Sequence, residues 1–136
     1  MPAGAKGTSE KSAKAFVRYY IDALNFATAT GDTSRARELS GLRCDSCDSM
    51  LDKVETVYAD GGYFRGDGWA VTGIKYQPLQ PKRRPILSVG IQLAPQDMVE
   101  AEGQDVQHFE GGPNQLTLHL SHAESKWHVE QLDRLS

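Results

Sequence analysis

The sequence predicts an α+β domain, with three N-terminal helices packed on a curved antiparallel sheet of four to six strands. Two observations carry this prediction. Apolar residues recur every three or four positions as far as Ala59, and from Trp69 onward they alternate. The helical segments come in one run and the strands in another, which excludes a parallel sheet with helical crossovers.

The first helix is expected over Ser9–Thr30, with Phe16, Val17, Tyr20, Leu24 and Ala27 forming one apolar stripe. Gly31 ends it by supplying a left-handed residue. Asp32 caps a short second helix over Thr33–Ser40, whose Ala36 and Leu39 face inward. The third helix starts at Cys44-Asp45-Ser46-Cys47, capped by Asp45 or Ser46, and runs to Ala59 on Met50, Leu51, Val54, Val57 and Tyr58. Asp60-Gly61-Gly62 stops it.

Gly66-Asp67-Gly68 reads as a turn, with Tyr63–Arg65 a short extra strand before it. The next strand sets Trp69, Val71 and Gly73 on one face and Ala70, Thr72, Ile74 and Tyr76 on the other. Leu87, Val89, Ile91 and Leu93 define a second long strand, and Leu116, Leu118 and Leu120 another. Between them, Met98–Glu110 reads as a hairpin turning near Glu102-Gly103. The last strand is Trp127–Leu135, reached through the turn Ala123–Lys126.

A chain of 136 residues fits one domain, residues 9–136, preceded by a disordered tail, residues 1–8. The net charge of −3 argues against nucleic acid as a partner, because phosphate binding needs clustered lysine and arginine. The one basic cluster, Lys82, Arg83 and Arg84 between two prolines, reads as a solvated loop. No apolar run approaches the roughly 18 residues of a membrane span. Met1–Ala15 lacks the apolar core of a signal peptide. The protein is then cytoplasmic, or its chain follows a removed targeting segment.

Cys44 and Cys47 admit three readings. A disulfide would pin the start of the third helix and favour an extracytoplasmic setting. A redox dithiol would profit from the helix N-terminus, but Asp45 and Asp48 disfavour a thiolate and no strand precedes the pair. A zinc site wants two further ligands at metal spacing, and the sequence shows no second pair. The disulfide is the favoured reading. The histidines are His108, His119, His122 and His128. His119 and His128 fall on neighbouring strands and are expected to face each other, with His119 on the side away from the leucines. Trp69 and Trp127 are expected to be structural, with stacking on a ligand at the cone mouth as the alternative.

The order of elements resembles the NTF2-like (cystatin-like cone) superfamily, which includes ketosteroid isomerase and the polyketide cyclases. The residues that carry the resemblance are Ala15–Tyr20, Ala29–Thr33, Leu116–Leu120 and Lys126–Val129. The Phe-Val-Arg-Tyr-Tyr helix, the Cys-x-x-Cys and Tyr58–Gly62 are together similar to a family of uncharacterised actinobacterial lipoproteins. That resemblance implies a lipid anchor on a cysteine ahead of the domain, as the only link to a membrane, and no established activity. Catalysis of the isomerase kind would need a carboxylate in the cone. The readable inward register, Leu87, Val89, Ile91, Leu93, Leu116, Leu118 and Leu120, offers none, and Asp22 on the first helix lies beside the stripe.

The expected function is therefore a non-catalytic, extracytoplasmic binding or interaction module with no cofactor, metal or catalytic residue. It would hold a small apolar ligand near Tyr20, Leu24, Tyr58, Trp69 and Trp127, and the outer sheet face would suit a homodimer. The alternative is a small-molecule enzyme of the isomerase or cyclase type using the same pocket.

Overall fold

A computed structural model describes residues 9–77 and 84–135. The tail expected over residues 1–8, and Lys82 and Arg83 of the basic cluster, lie outside the described residues; Arg84 is exposed.

Helix α1 spans Glu10–Thr30. The Ser9 hydroxyl caps it by accepting the Ser12 N–H at 3.1 Å. Gly31 ends it with φ 83°, and its N–H reaches the Ala27 carbonyl. Helix α2 is Ser34–Leu39. The Asp32 carboxylate accepts the Ser34 N–H at 3.1 Å and the Ser34 hydroxyl at 2.7 Å. These bonds hold its pKa below the usual carboxylate value.

Helix α3 is Asp45–Ala59. Its cap differs from the expectation: Cys44 occupies the capping position, and its sulfur accepts the Cys47 N–H at 3.2 Å. Ser46 is engaged elsewhere. Its hydroxyl accepts the N–H of Leu132 at 3.0 Å, tying the start of the helix to the last strand.

The described residues hold seven strands in two sheets, more than the four to six expected. The larger sheet has the antiparallel order β2 (Trp69–Gln77), β3 (Ile86–Leu93), β6 (Gly112–Ala123), β7 (Lys126–Leu135). The smaller has the order β1 (Gly61–Arg65), β4 (Gln96–Ala101), β5 (Gln107–Phe109). The segment expected as a short strand over Tyr63–Arg65 begins at Gly61 and pairs with β4, which in turn pairs with β5, so these three form a sheet of their own.

The register of β2 also departs from simple alternation. A bulge between Val71 and Gly73 resets the phase, so Trp69, Val71, Ile74 and Tyr76 all pack toward the core. Strict alternation had put Val71 and Ile74 on opposite faces. A second bulge between His119 and Leu120 shifts the last hairpin. Through it His119 pairs with Gln131 in place of Glu130, while the register set by the turn pairs His128 with Ser121, so the two histidines do not face each other. His119 does lie on the face away from the leucines, with Nε2 3.8 Å from the Asp133 carboxylate.

The core lies between the helices and the inner face of the larger sheet. Phe16, Tyr20, Leu87, Ile91, Leu116, Leu118 and Trp127 are all at most 1% exposed. Full burial of each aliphatic side chain contributes roughly 1.5–3 kcal/mol. The Ser40 hydroxyl donates to the Ala36 carbonyl at 2.8 Å, which leaves it to accept from the Tyr20 hydroxyl at 3.0 Å. Burial pushes the Tyr20 phenol pKa up. The Phe16 and Trp127 rings lie 6.4 Å apart, so the start of α1 packs beside the β6–β7 turn. The helix then runs toward the opposite end of the sheet, where β2 begins and β3 ends.

Candidate functional site

At that far end the cone is open. Leu24, Met50, Leu51 and Val54 come from α1 and α3, Phe64 from β1 and Trp69 from β2. They wall a pocket of about 230 Å³. The pocket widens outward into a cleft of about 630 Å³ bounded by Leu93, Met98 and Phe109. The two spaces share Lys53, Phe64, Gly68, Trp69, Gln96 and Arg134, and together form one site.

Two of the wall residues, Trp69 and Phe64, are held from behind. The Asn25 side chain donates to the Trp69 carbonyl at 2.9 Å and accepts the Trp69 N–H at 2.9 Å. Gly68 precedes it at φ 80°, and a Cβ there would sit 2.5 Å from Asn25 Oδ1. Only glycine allows this approach. The Tyr58 hydroxyl donates to the Thr28 carbonyl at 2.6 Å and accepts the Phe64 N–H at 3.4 Å. It locks β1 to α1.

The charges sit at the rim. Lys53 pairs with Glu100 at 3.1 Å. His108 Nδ1 lies 2.7 Å from Asp97 and Nε2 lies 3.4 Å from Glu110. The hydrogen bond to Asp97 raises the His108 pKa above its ordinary value. Arg134 lines both spaces, and among the described residues it has no carboxylate partner. The described residues that are buried and polar are Ser12, Thr33 and Ser40, with no carboxylate among them. Asp22 is exposed on α1, beside a shallow dip shared with Tyr19 and Arg35.

Of the five residues expected at the pocket, Leu24 and Trp69 line it. Tyr20 and Trp127 do not, because both are fully enclosed in the core. Tyr58 stands behind Phe64, with the two ring centroids 6.2 Å apart. Asn25, Phe64 and Arg134 escape sequence reasoning. Counting by twos from Trp127 puts Asp133 on the inner face and Arg134 outside. The bulge beside Glu130 reverses that order.

Cys44 and Cys47 form a disulfide, and both residues are wholly buried. The redox reading fails on this burial, since an attacking thiol must reach the sulfur. The metal reading also lacks support. No group of three or more metal-ligating side chains occurs among the described residues. His122 packs edge-on to Trp127, with centroids 4.8 Å apart.

A family model described as "Family of unknown function (DUF6318)" matches residues 1–133. A comparison with curated proteins returns no match. Among solved structures, the intermembrane space region of the chloroplast protein ARC6 superposes with a TM-score of 0.67 at 9% identity, over 94% of this chain and 97% of that one. An uncharacterised protein with a cystatin-like fold from Caulobacter vibrioides gives 0.56 at 14% identity, over 90% and 89%. A protein of unknown function from Mycobacterium tuberculosis gives 0.51 at 10%, over 95% and 76%. These likenesses establish the cystatin-like cone anticipated from the sequence.

Proposed function

Because the chain belongs to that family of unknown function, we propose from its own geometry that it is a non-catalytic binding domain holding a small apolar ligand at the cone mouth. The observation that carries this reading is the pocket walled by Leu24, Met50, Leu51, Val54, Phe64 and Trp69. Small-molecule sites have this character: concave, mostly apolar, with a few polar groups at the edge. The isomerase or cyclase alternative is less well supported, because no carboxylate is buried among the described residues to act as a base in the cone.

The setting we propose is extracytoplasmic, with attachment to a membrane through a lipid ahead of the domain. The Cys44–Cys47 disulfide supports the compartment, since such bonds persist where the surroundings are oxidising. No helix among the described residues is long and apolar enough to cross a membrane. Self-association through the outer face of the larger sheet belongs to the same reading. Gly73 and Gly90 leave a shallow polar depression there, between Thr72, Lys75 and Ser88. Sedimentation equilibrium that returned only monomer at high protein concentration would remove that part.

The test of the pocket is a titration with N-phenyl-1-naphthylamine, an uncharged apolar fluorophore. One-to-one saturable binding is expected, with Leu24→Lys abolishing it. A wild-type protein that gave no saturable signal would overturn the proposal.

A further inference from the structure

The apolar pocket carries a charge pattern that selects among apolar ligands. Three basic side chains, Lys53, His108 and Arg134, and one acidic one, Glu110, line its outer part. Two already have acidic partners, Lys53 with Glu100 and His108 with Asp97 and Glu110. Arg134 has no acidic partner among the described residues, yet it borders both the inner pocket and the outer cleft. Its position at the end of β7, opposite Leu116, sets it at the junction between apolar wall and solvent.

We propose that the ligand is a single-tailed amphiphile with an anionic head, and that Arg134 is the residue that binds the head. This rests on the proposed function of the pocket and adds the class of ligand. The tail would lie among Leu24, Met50, Val54, Phe64 and Trp69. The head, a carboxylate or a phosphate, would take two parallel hydrogen bonds from the guanidinium. Low-dielectric walls beside such a pair strengthen it relative to water. Lys53 adds attraction at longer range, reduced by its bond to Glu100.

Calorimetric titration at pH 7.5 with decanol, decanoate and decyl phosphate tests this on the intact chain. Decanol reports on the apolar pocket alone. Decanoate or decyl phosphate should bind roughly tenfold more tightly than decanol. Whichever of the two binds better identifies the head, and either result supports the proposal. Arg134→Gln should remove that advantage and leave decanol binding unchanged, while Arg134→Lys should restore part of it. Lengthening the tail should tighten binding about fourfold per methylene until the inner pocket is full. Equal affinity for decanol and both anions in the wild type would overturn the inference while the apolar pocket stands. A loss in Arg134→Gln that was the same for all three would also overturn it, by showing a structural role. Failure of all three to bind would overturn the pocket reading and this inference together.

Discussion

The side-chain amide of Asn25 meets the backbone of Trp69 as a neighbouring strand would, taking its N–H and giving to its carbonyl, both at 2.9 Å. A residue on α1 thereby serves as the hydrogen-bonding partner for the first residue of β2, and Trp69 is fixed at the cleft. Asn25→Ala removes both bonds and leaves two half-buried backbone groups to find water. It should cost about 1–3 kcal/mol, read from urea unfolding. Gly68→Ala should cost a similar amount, through both its positive φ and the encroachment on Asn25. Stability unchanged in Asn25→Ala would mean that the pairing does not hold the strand.

The disulfide should be present and shielded. Intact mass should fall two hydrogens below the reduced mass, and native protein should resist dithiothreitol until denaturant is added, because both cysteines are enclosed. The double replacement Cys44→Ala, Cys47→Ala should lose about 2 kcal/mol, since so short a loop restricts the unfolded chain little. Rapid reduction of native protein would contradict the burial.

Arg37 joins α2 to α3 by three ion pairs, with Asp48 at 3.5 Å, Asp52 at 2.6 Å and Glu55 at 2.7 Å. The guanidinium bond is the main cause holding the Glu55 pKa down, with Thr33 second. A lowered carboxyl pKa gives stability that is present above the unfolded value of about 4.3 and is lost as pH falls through the folded value. Arg37→Met should cost about 1 kcal/mol at low salt, because exposed pairs are screened, and less at high salt. A salt-independent loss would point to packing of the side-chain stem instead.

His108 titrates in the opposite sense. Its raised pKa means that its bond to Asp97 stabilises fully below the unfolded value of about 6.5, and the contribution disappears as pH rises through the folded value. The bond links β5 to β4, so amide exchange in β5 should quicken over that interval. Proton NMR of the imidazole should show the elevated midpoint, and Asp97→Asn should bring it down. A midpoint at the ordinary value in the wild type would refute the pairing.

The helices and most strands were legible because their packing obeys simple periods. Phe16, Val17, Tyr20, Leu24 and Ala27 follow the helix repeat, and all are buried. Leu87, Val89 and Ile91 follow the strand repeat and are buried as well. What periodicity does not encode is a change of phase. The bulge between Val71 and Gly73 and the one between His119 and Leu120 each reset the alternation. Simple alternation from Trp127 would turn Arg134 outward, whereas past the bulge it pairs with the buried Leu116. Asn25 was missed for another reason. Its role depends on a contact 44 positions away, at Trp69, and local pattern carries no trace of it. The cysteines were read correctly as a disulfide because geometry at that spacing is itself local.

Helix α1 begins beside the β6–β7 turn and finishes at the cleft, so Ser9 and Trp69 occupy opposite poles of the domain. The leading end of α1 therefore lies at the pole away from the opening. A surface holding the protein by that end would leave the opening directed outward, able to exchange its contents with the surrounding fluid.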